Sequence, residues 1–354
     1  MERKNYNIAV IPGDGIGKEV VPESLRVLEA VARKYNFTLN FDTKDWSCER
    51  YKARGSMMPE DGLDEISGHD AILLGAVGFP GVPDHISLWG LLIPIRRAFK
   101  QYVNLRPVRL FRGMKCPLVG KEPGSIDFWI IRENNEGEYS EIGGKLYAGT
   151  AQEMVMQQSI FTRAGTDRII RYAFEFAIKH SRRRVTSATK SNGIIHSMPF
   201  WDERFDIISS EYPDCQSEKF HIDILTAHFV LHPEWFDVVV GSNLFGDILS
   251  DLGPAITGTI GIAPGGNINP ENDYPSCFEP VHGSAPDIAG EGIANPIGQI
   301  WSAAMMLEHL GEQDAASDIL EAVERVIIEP KISTPDMGGT SKCSELGKAI
   351  QEAL

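Results

Sequence analysis

The sequence predicts an α/β protein of two domains. Three observations point there. Strands and amphipathic helices alternate over residues 6–102, strand–helix pairs recur after residue 180, and 354 residues is about twice the ~150-residue domain prior. Tyr6 to Ile11 reads as a buried strand that runs into the glycine-rich turn IPGDGIG. Val20, Val21, Leu25, Leu28, Val31, Ala32 and Tyr35 then recur at helical spacing. Phe37, Leu39 and Phe41 alternate as a strand, Asp70 to Gly78 is an apolar run closed by glycines, and a helix is expected over Leu91 to Tyr102. The middle is richer in strands: NLRPVRL, SIDFWIIRE, a hairpin-like EYSEIGGKLYAG and EMVMQQSIFT. A helix is predicted from Asp167, and RVTSATK and FDVVVGSN read as strands each leading into a helix. Near the end Asn295 is a candidate N-cap, with Pro296 at the first helical position and Gly311 after the last turn. The pattern changes near residues 105 and 255 suggest where one domain gives way to the other.

Composition excludes several classes of function. A net charge of −15 repels polyanions, so nucleic acid and acidic membrane surfaces are disfavoured partners. The five cysteines are far apart and free of CxxC spacing, which reads as reduced intracellular thiols and a cytoplasmic protein. No apolar run approaches the ~18 residues of a membrane span.

Four constellations carry chemistry. In NLFGDILSDLGP, Asp247 and Asp251 stack two carboxylates on one helix face, which costs stability unless a cation sits between them. Hard oxygen donors of this kind suit Mg²⁺ or Mn²⁺; a solvated acidic face is the alternative. Asp223 is a possible third acid or a helix N-cap. Arg96 and Arg97 lie in a predicted helix, Arg106 precedes a proline in a strand, and Arg132 ends the apolar run FWII. Converging guanidinium groups would bind a di-acid or tri-acid, while structural bridging to acidic residues is the competing explanation. The turn IPGDGIG fits neither the GxGxxG fingerprint nor a phosphate loop, so an ordinary Rossmann site is not supported. The loop Glu279 to Pro296 is too long for a simple connection, and its His282, Asp287 and Asn295 could contact a sugar and a base. Finally, Tyr139 and Lys190 are candidate proton-transfer groups, with a satisfied Tyr and a surface Lys as the alternative; Lys190 sits at a strand end, and a nearby divalent cation would lower its pKa.

Taken in order, IPGDGIGKEV, NLRPVR, IRENNEGEY, TKSN, SNLFGDILSDL, FEPVHGSAPDIAG and IANP resemble the metal-dependent β-decarboxylating dehydrogenases, the family of isopropylmalate and isocitrate dehydrogenases, over nearly the whole chain. The resemblance implies a two-domain α/β fold with its own dinucleotide site. Residues 1–105 and 258–354 would form the larger, dinucleotide-binding domain. Residues 106–257 would form the smaller one, with the metal ligands, the dimer interface and a hairpin arm. It implies Arg96, Arg106 and Arg132 as the clamp for the substrate carboxylates, Tyr139 as proton donor to the enol carbon, and Lys190 as the group assisting hydroxyl deprotonation. Asp223, Asp247 and Asp251 would hold Mg²⁺ or Mn²⁺, with K⁺ as an additional cation left open. Lys190 and Asp223 would come from the partner subunit of a homodimer. His282, Gly283, Ser284, Ala285, Asp287 and Asn295 would bind the adenosine of NAD⁺, since Asp287 repels a ribose phosphate and no Lys or Arg lies between His282 and Asn295. The stretch DHISLWGLLIPIRR, with Trp89, departs from the isopropylmalate pattern and looks most like the tartrate and D-malate branch of the family. Oxidation and decarboxylation of D-malate to pyruvate and carbon dioxide is the leading expectation, with tartrate also turned over. The alternatives are 3-isopropylmalate oxidation and a metal-dependent decarboxylation without net redox change.

Overall fold

A computed structural model describes residues 3–329 and 332–354. The chain opens with β1 (Asn5–Gly13), α1 (Gly17–Tyr35), β2 (Thr38–Thr43), α2 (Cys48–Arg54), α3 (Gly62–Ile66), β3 (Ala71–Ala76), α4 (Asp84–Ser87), a π-turn over Leu88–Leu92, and α5 (Ile93–Ala98). Then come β4 (Val103–Arg109), β5 (Asp127–Glu133), β6 (Gly143–Leu146), β7 (Met154–Gln157), α6 (Arg163–Lys179), β8 (Arg184–Thr189) and α7 (Ser197–Ser209). After these follow β9 (Gln216–His221), α8 (Ile222–Leu231), β10 (Val238–Gly241) and α9 (Asn243–Thr257). The last elements are β11 (Pro264–Ile268), β12 (Ser276–Pro280), α10 (Ile297–His309), α11 (Gln313–Ile328) and α12 (Cys343–Glu352).

These elements form two compact units, residues 1–101, 106–126 and 254–354 in the first and 102–105 and 127–253 in the second. Residues 106–126, expected in the smaller domain, therefore belong with the larger unit, and the first crossing falls inside β4. The pattern changes near residues 105 and 255 fall beside the crossings at 105/106 and 253/254.

In the first unit the strands run β2-β1-β3-β12-β11, parallel except for β11 against β12. Every residue of β3 is buried, as a parallel strand covered on both faces requires. Helix α1 turns Val20, Val27, Leu28 and Val31 inward, and α10 is buried from Ile297 to Leu307. Helix α10 starts one residue later than its cap signal suggested: Pro296 is the N-cap, and the Asn295 side chain accepts from the Ile297 amide at 3.0 Å. The helix expected over 91–102 ends at Ala98, because Lys100 turns to a φ of 48°.

The second unit is a parallel sheet in the order β5-β10-β8-β9. Helix α6 buries Ile169, Ile170, Ala173, Phe174 and Ala177, and starts at Arg163 because the Thr162 hydroxyl accepts from the Gly165 amide. Strands β6 and β7 pair antiparallel, with every residue of both exposed. Among the described residues no helix is long and apolar enough to cross a membrane.

Candidate active site

In the second unit, Arg132 stands near the end of β5 and is only 2% exposed. Its guanidinium donates to the Asn243 carbonyl oxygen from Nε at 3.2 Å and Nη2 at 2.6 Å, and from Nη1 to Asp247 Oδ1. Helix α9 can approach this closely because residue 246 is glycine: a Cβ there would fall 2.5 Å from the Arg132 Cβ. The Tyr139 hydroxyl donates to Asp247 Oδ2 at 3.0 Å, and the Arg132 guanidinium lies 5.4 Å from its ring centroid. Burial, then the Asp247 charge and hydrogen bond, push the phenol above its ordinary pKa of 10.0, so it stays protonated at neutral pH and is a donor. Asp251 lies one turn farther along α9 and is exposed.

Lys190 follows β8, and its Nζ pairs with Asp223 Oδ1 at 2.7 Å. That hydrogen bond holds the Asp223 carboxyl below its usual range. Asp223 sits in the first turn of α8 behind an N-cap at His221, so it is not itself the cap. Among the described residues no three His, Cys, Asp or Glu side chains gather where they could hold one metal ion. The donors suit a hard divalent cation, but one chain supplies Asp247 and Asp251 without a third carboxylate beside them.

Next to Arg132, Glu133 is buried and accepts from the backbone amides of Asn135 and Glu136 at 2.9 and 2.7 Å, with Arg168 at 3.4 Å. Burial outweighs these partners and pushes its carboxyl from 4.5 up to about 8. A raised folded-state value means that Glu133 adds stability below about pH 4.5 and loses that contribution as pH rises through about 8. Wild-type Tm is therefore expected to fall between pH 6 and 9, by an amount equivalent to at most about 1.4 kcal/mol per pH unit, and Glu133→Gln to flatten the slope in a thermal-denaturation series.

In the first unit, Arg96 Nη2 pairs with Glu279 Oε1 at 2.8 Å, and the same oxygen accepts from the Asn267 amide at 2.7 Å. Burial alone would raise the Glu279 carboxyl, but Arg96, Asn267 and Arg106 together hold it below its ordinary value. Arg106 is likewise buried. Arg97, the neighbour of Arg96, faces outward with its guanidinium 4.8 Å from the Trp89 ring centroid. Glu279 and Asn267 went unnoticed in the sequence because nothing local marks them as guanidinium partners.

The loop after β12 packs directly on the glycine turn. The Ile16 amide donates to the Ser284 carbonyl at 2.9 Å, and a Cβ on Gly15, whose φ is 52°, would fall 2.0 Å from that oxygen. Gly15 thus serves loop packing, whereas Gly13 and Gly17 lie against the backbone of Ala76 in β3. Ala285 adopts a φ of 40°, while Gly283 and Asp287 are exposed. The His282 Nδ1 meets the Gly283 carbonyl at 3.0 Å, and burial lowers the ring's pKa below 6.5. A neutral ring that donates from Nδ1 presents Nε2 as an acceptor, and Nε2 is buried without a partner. This orphaned acceptor beside exposed backbone fits a nucleoside. Asn295, by contrast, spends its side chain on Ile297 and on Asp336, which also accepts from Thr259 and Thr334. Lys342, outside the loop's sequence window, reaches the Glu291 carbonyl at 2.9 Å.

Asp14 underpins the turn. It is 1% exposed, and its carboxylate accepts from the Cys48 amide at 2.9 and 3.1 Å and the Gly78 amide at 3.1 Å. Asp14→Ala orphans both amides and is expected to cost about 2–4 kcal/mol, measurable as a lower denaturant midpoint.

Residues 7–350 match the model of the isocitrate/isopropylmalate dehydrogenase family. The chain belongs to this family. It is 59% identical to the D-malate dehydrogenase [decarboxylating] of Escherichia coli (strain K12), with 98% of each chain covered. It is 57% identical to the tartrate dehydrogenase/decarboxylase of Pseudomonas putida, covering 100% of this chain and 99% of that one. The crystal structure of isocitrate dehydrogenase from Methylococcus capsulatus superposes with a TM-score of 0.89 at 34% identity, covering 98% of this chain and 99% of that one. As a member of the isocitrate/isopropylmalate dehydrogenase family the chain is an enzyme, an oxidative decarboxylase.

Proposed function

We propose that the protein oxidises and decarboxylates D-malate to pyruvate and carbon dioxide, with NAD⁺ and Mg²⁺ or Mn²⁺, and that it also turns over tartrate. The observation that carries this reading is the cluster of Arg132, Tyr139 and Asp247: a buried cation for a carboxylate, a protonated phenol and a hard oxygen donor. The names of the relatives in Escherichia coli and Pseudomonas putida support the same substrates.

In this reading Arg96, Arg106 and Arg132 bind the substrate carboxylates. Lys190 assists deprotonation of the substrate hydroxyl. Tyr139 donates its phenolic proton to the carbon left by decarboxylation, swinging away from Asp247 to do so. A bound divalent cation supplies Lewis-acid polarisation of the substrate oxygen, and NAD⁺ supplies the hydride acceptor. Asp247 and Asp251 would hold the cation, with Asp223 as third ligand. His282 Nε2 and the backbone of Gly283, Ser284 and Ala285 would meet the adenosine, with Asp287 facing its ribose.

Lys190 and Asp223 act in the site of a second copy. Supporting this, the Asp223 side chain is 67% exposed, and α8 and α9 present Ile224, Val230, Leu231 and Ile248 to solvent. The β6–β7 arm likewise exposes Leu146, Met154 and Met156, a surface suited to a homodimer.

Steady-state rates on D-malate, L-tartrate and 3-isopropylmalate, each with NAD⁺ and NADP⁺, test the proposal. D-malate or tartrate with NAD⁺ is expected to win by at least about 10-fold in kcat/KM, about 1.4 kcal/mol of transition-state preference. Preference for 3-isopropylmalate overturns it.

A further inference from the structure

The loop that carries Tyr139 reads RENNEGEY and holds three glutamates where a solvated acidic loop would be the ordinary expectation. The structure gives each carboxylate a separate task. Glu133 closes the loop on its own amides, as described above. Glu136 accepts from the Thr162 amide at 2.9 Å and the Thr162 hydroxyl at 2.8 Å, at the start of α6. Glu138 accepts from the Ser242 hydroxyl at 2.9 Å and the Leu244 amide at 3.0 Å, at the start of α9. Between them Gly137 exchanges two backbone hydrogen bonds with Ile160, at 2.7 and 2.9 Å.

We propose that Glu138 is a positioning residue for Tyr139, tying its loop to the first turn of the helix that bears Asp247. The inference rests on the role given above to Tyr139. The tether is short on both sides: Glu138 precedes the tyrosine, and Leu244 precedes Asp247 by three residues, so one carboxylate fixes the phenol against its acceptor. A carboxylate suits the position because a helix start leaves amides unsatisfied and favours negative charge. Without the tether the loop would still be held at Glu136, at Gly137 and at Ser140, whose hydroxyl donates to the Gln158 carbonyl and whose carbonyl accepts from the Gln157 side-chain amide at 2.9 Å, but its link to the first turn of α9 would be gone.

Glu138→Ala is expected to lower kcat about 10- to 100-fold, with the KM for substrate changing less than about threefold, because a small misplacement impairs proton transfer more than binding. Glu138→Gln keeps one oxygen for the Leu244 amide and an NH₂ for the Ser242 hydroxyl, and is expected to stay within about threefold of wild type. Ser242→Ala, which removes half the tether, should fall between them and serves if Glu138→Ala does not fold. Hydrogen exchange read on the peptides spanning residues 137–140 and 242–247 should speed up at least about 10-fold in Glu138→Ala and not in Glu138→Gln. Wild-type kcat in Glu138→Ala, or a Gln variant as impaired as the Ala variant, overturns the proposal. If wild type oxidises no hydroxy acid, the proposed activity fails while the exchange comparison still decides the tether.

Discussion

Arg132→Met is expected to raise the substrate KM at least about 100-fold, equivalent to about 2.7 kcal/mol of lost binding. The side chain is 3% exposed and spends three N–H groups on Asn243 and Asp247. Substrate binding is the larger loss, because a buried guanidinium recognises a carboxylate through parallel hydrogen bonds that methionine cannot replace. Stability falls too, by about 2 kcal/mol. That is less than the ~3–5 kcal/mol typical of breaking a buried pair, since the Asp247 side chain keeps 33% exposure and water can solvate it. Arg132→Lys restores the charge without the fork and should recover stability more than KM. The comparison needs only steady-state kinetics and a denaturant melt on the three proteins.

Asp247→Asn has the second large effect. The substitution keeps size and one carbonyl oxygen, so Tyr139 or Arg132 can still find an acceptor, but the anion is lost. Activity is expected to fall at least about 1000-fold, about 4 kcal/mol of transition-state stabilisation. A second measurement separates loss of metal binding from loss of fold. Mn²⁺ should raise the Tm of wild type in proportion to its occupancy and leave that of Asp247→Asn unchanged. A variant that is stabilised by Mn²⁺ as wild type is would remove Asp247 from the metal set.

Much of the site was legible as residue types and little of it as partnerships. The four-residue spacing of Asp247 and Asp251 is a property of one helix and can be read locally. The Tyr139 contact with Asp247 bridges 108 positions, and Arg96 meets Glu279 across 183, so neither leaves a trace in a sequence window. Glycine turns were visible but their purpose was not, because the object that excludes a side chain at Gly15 is the Ser284 carbonyl, far along the chain. The π-turn over Leu88–Leu92 overlaps the start of the helix expected over Leu91 to Tyr102, since apolar periodicity does not reveal one inserted residue. Strands and long helices were the easiest part, because burial on one or both faces dictates their composition directly.

Whether oxidation and loss of the carboxylate are coupled in one reaction is tested most directly by measuring NADH and carbon dioxide together during turnover of D-malate with Mn²⁺, and again after chelation of the metal. Equal amounts of both products are expected, and none of either without the cation. Carbon dioxide released in excess of NADH, or turnover that survives chelation, would contradict that coupling.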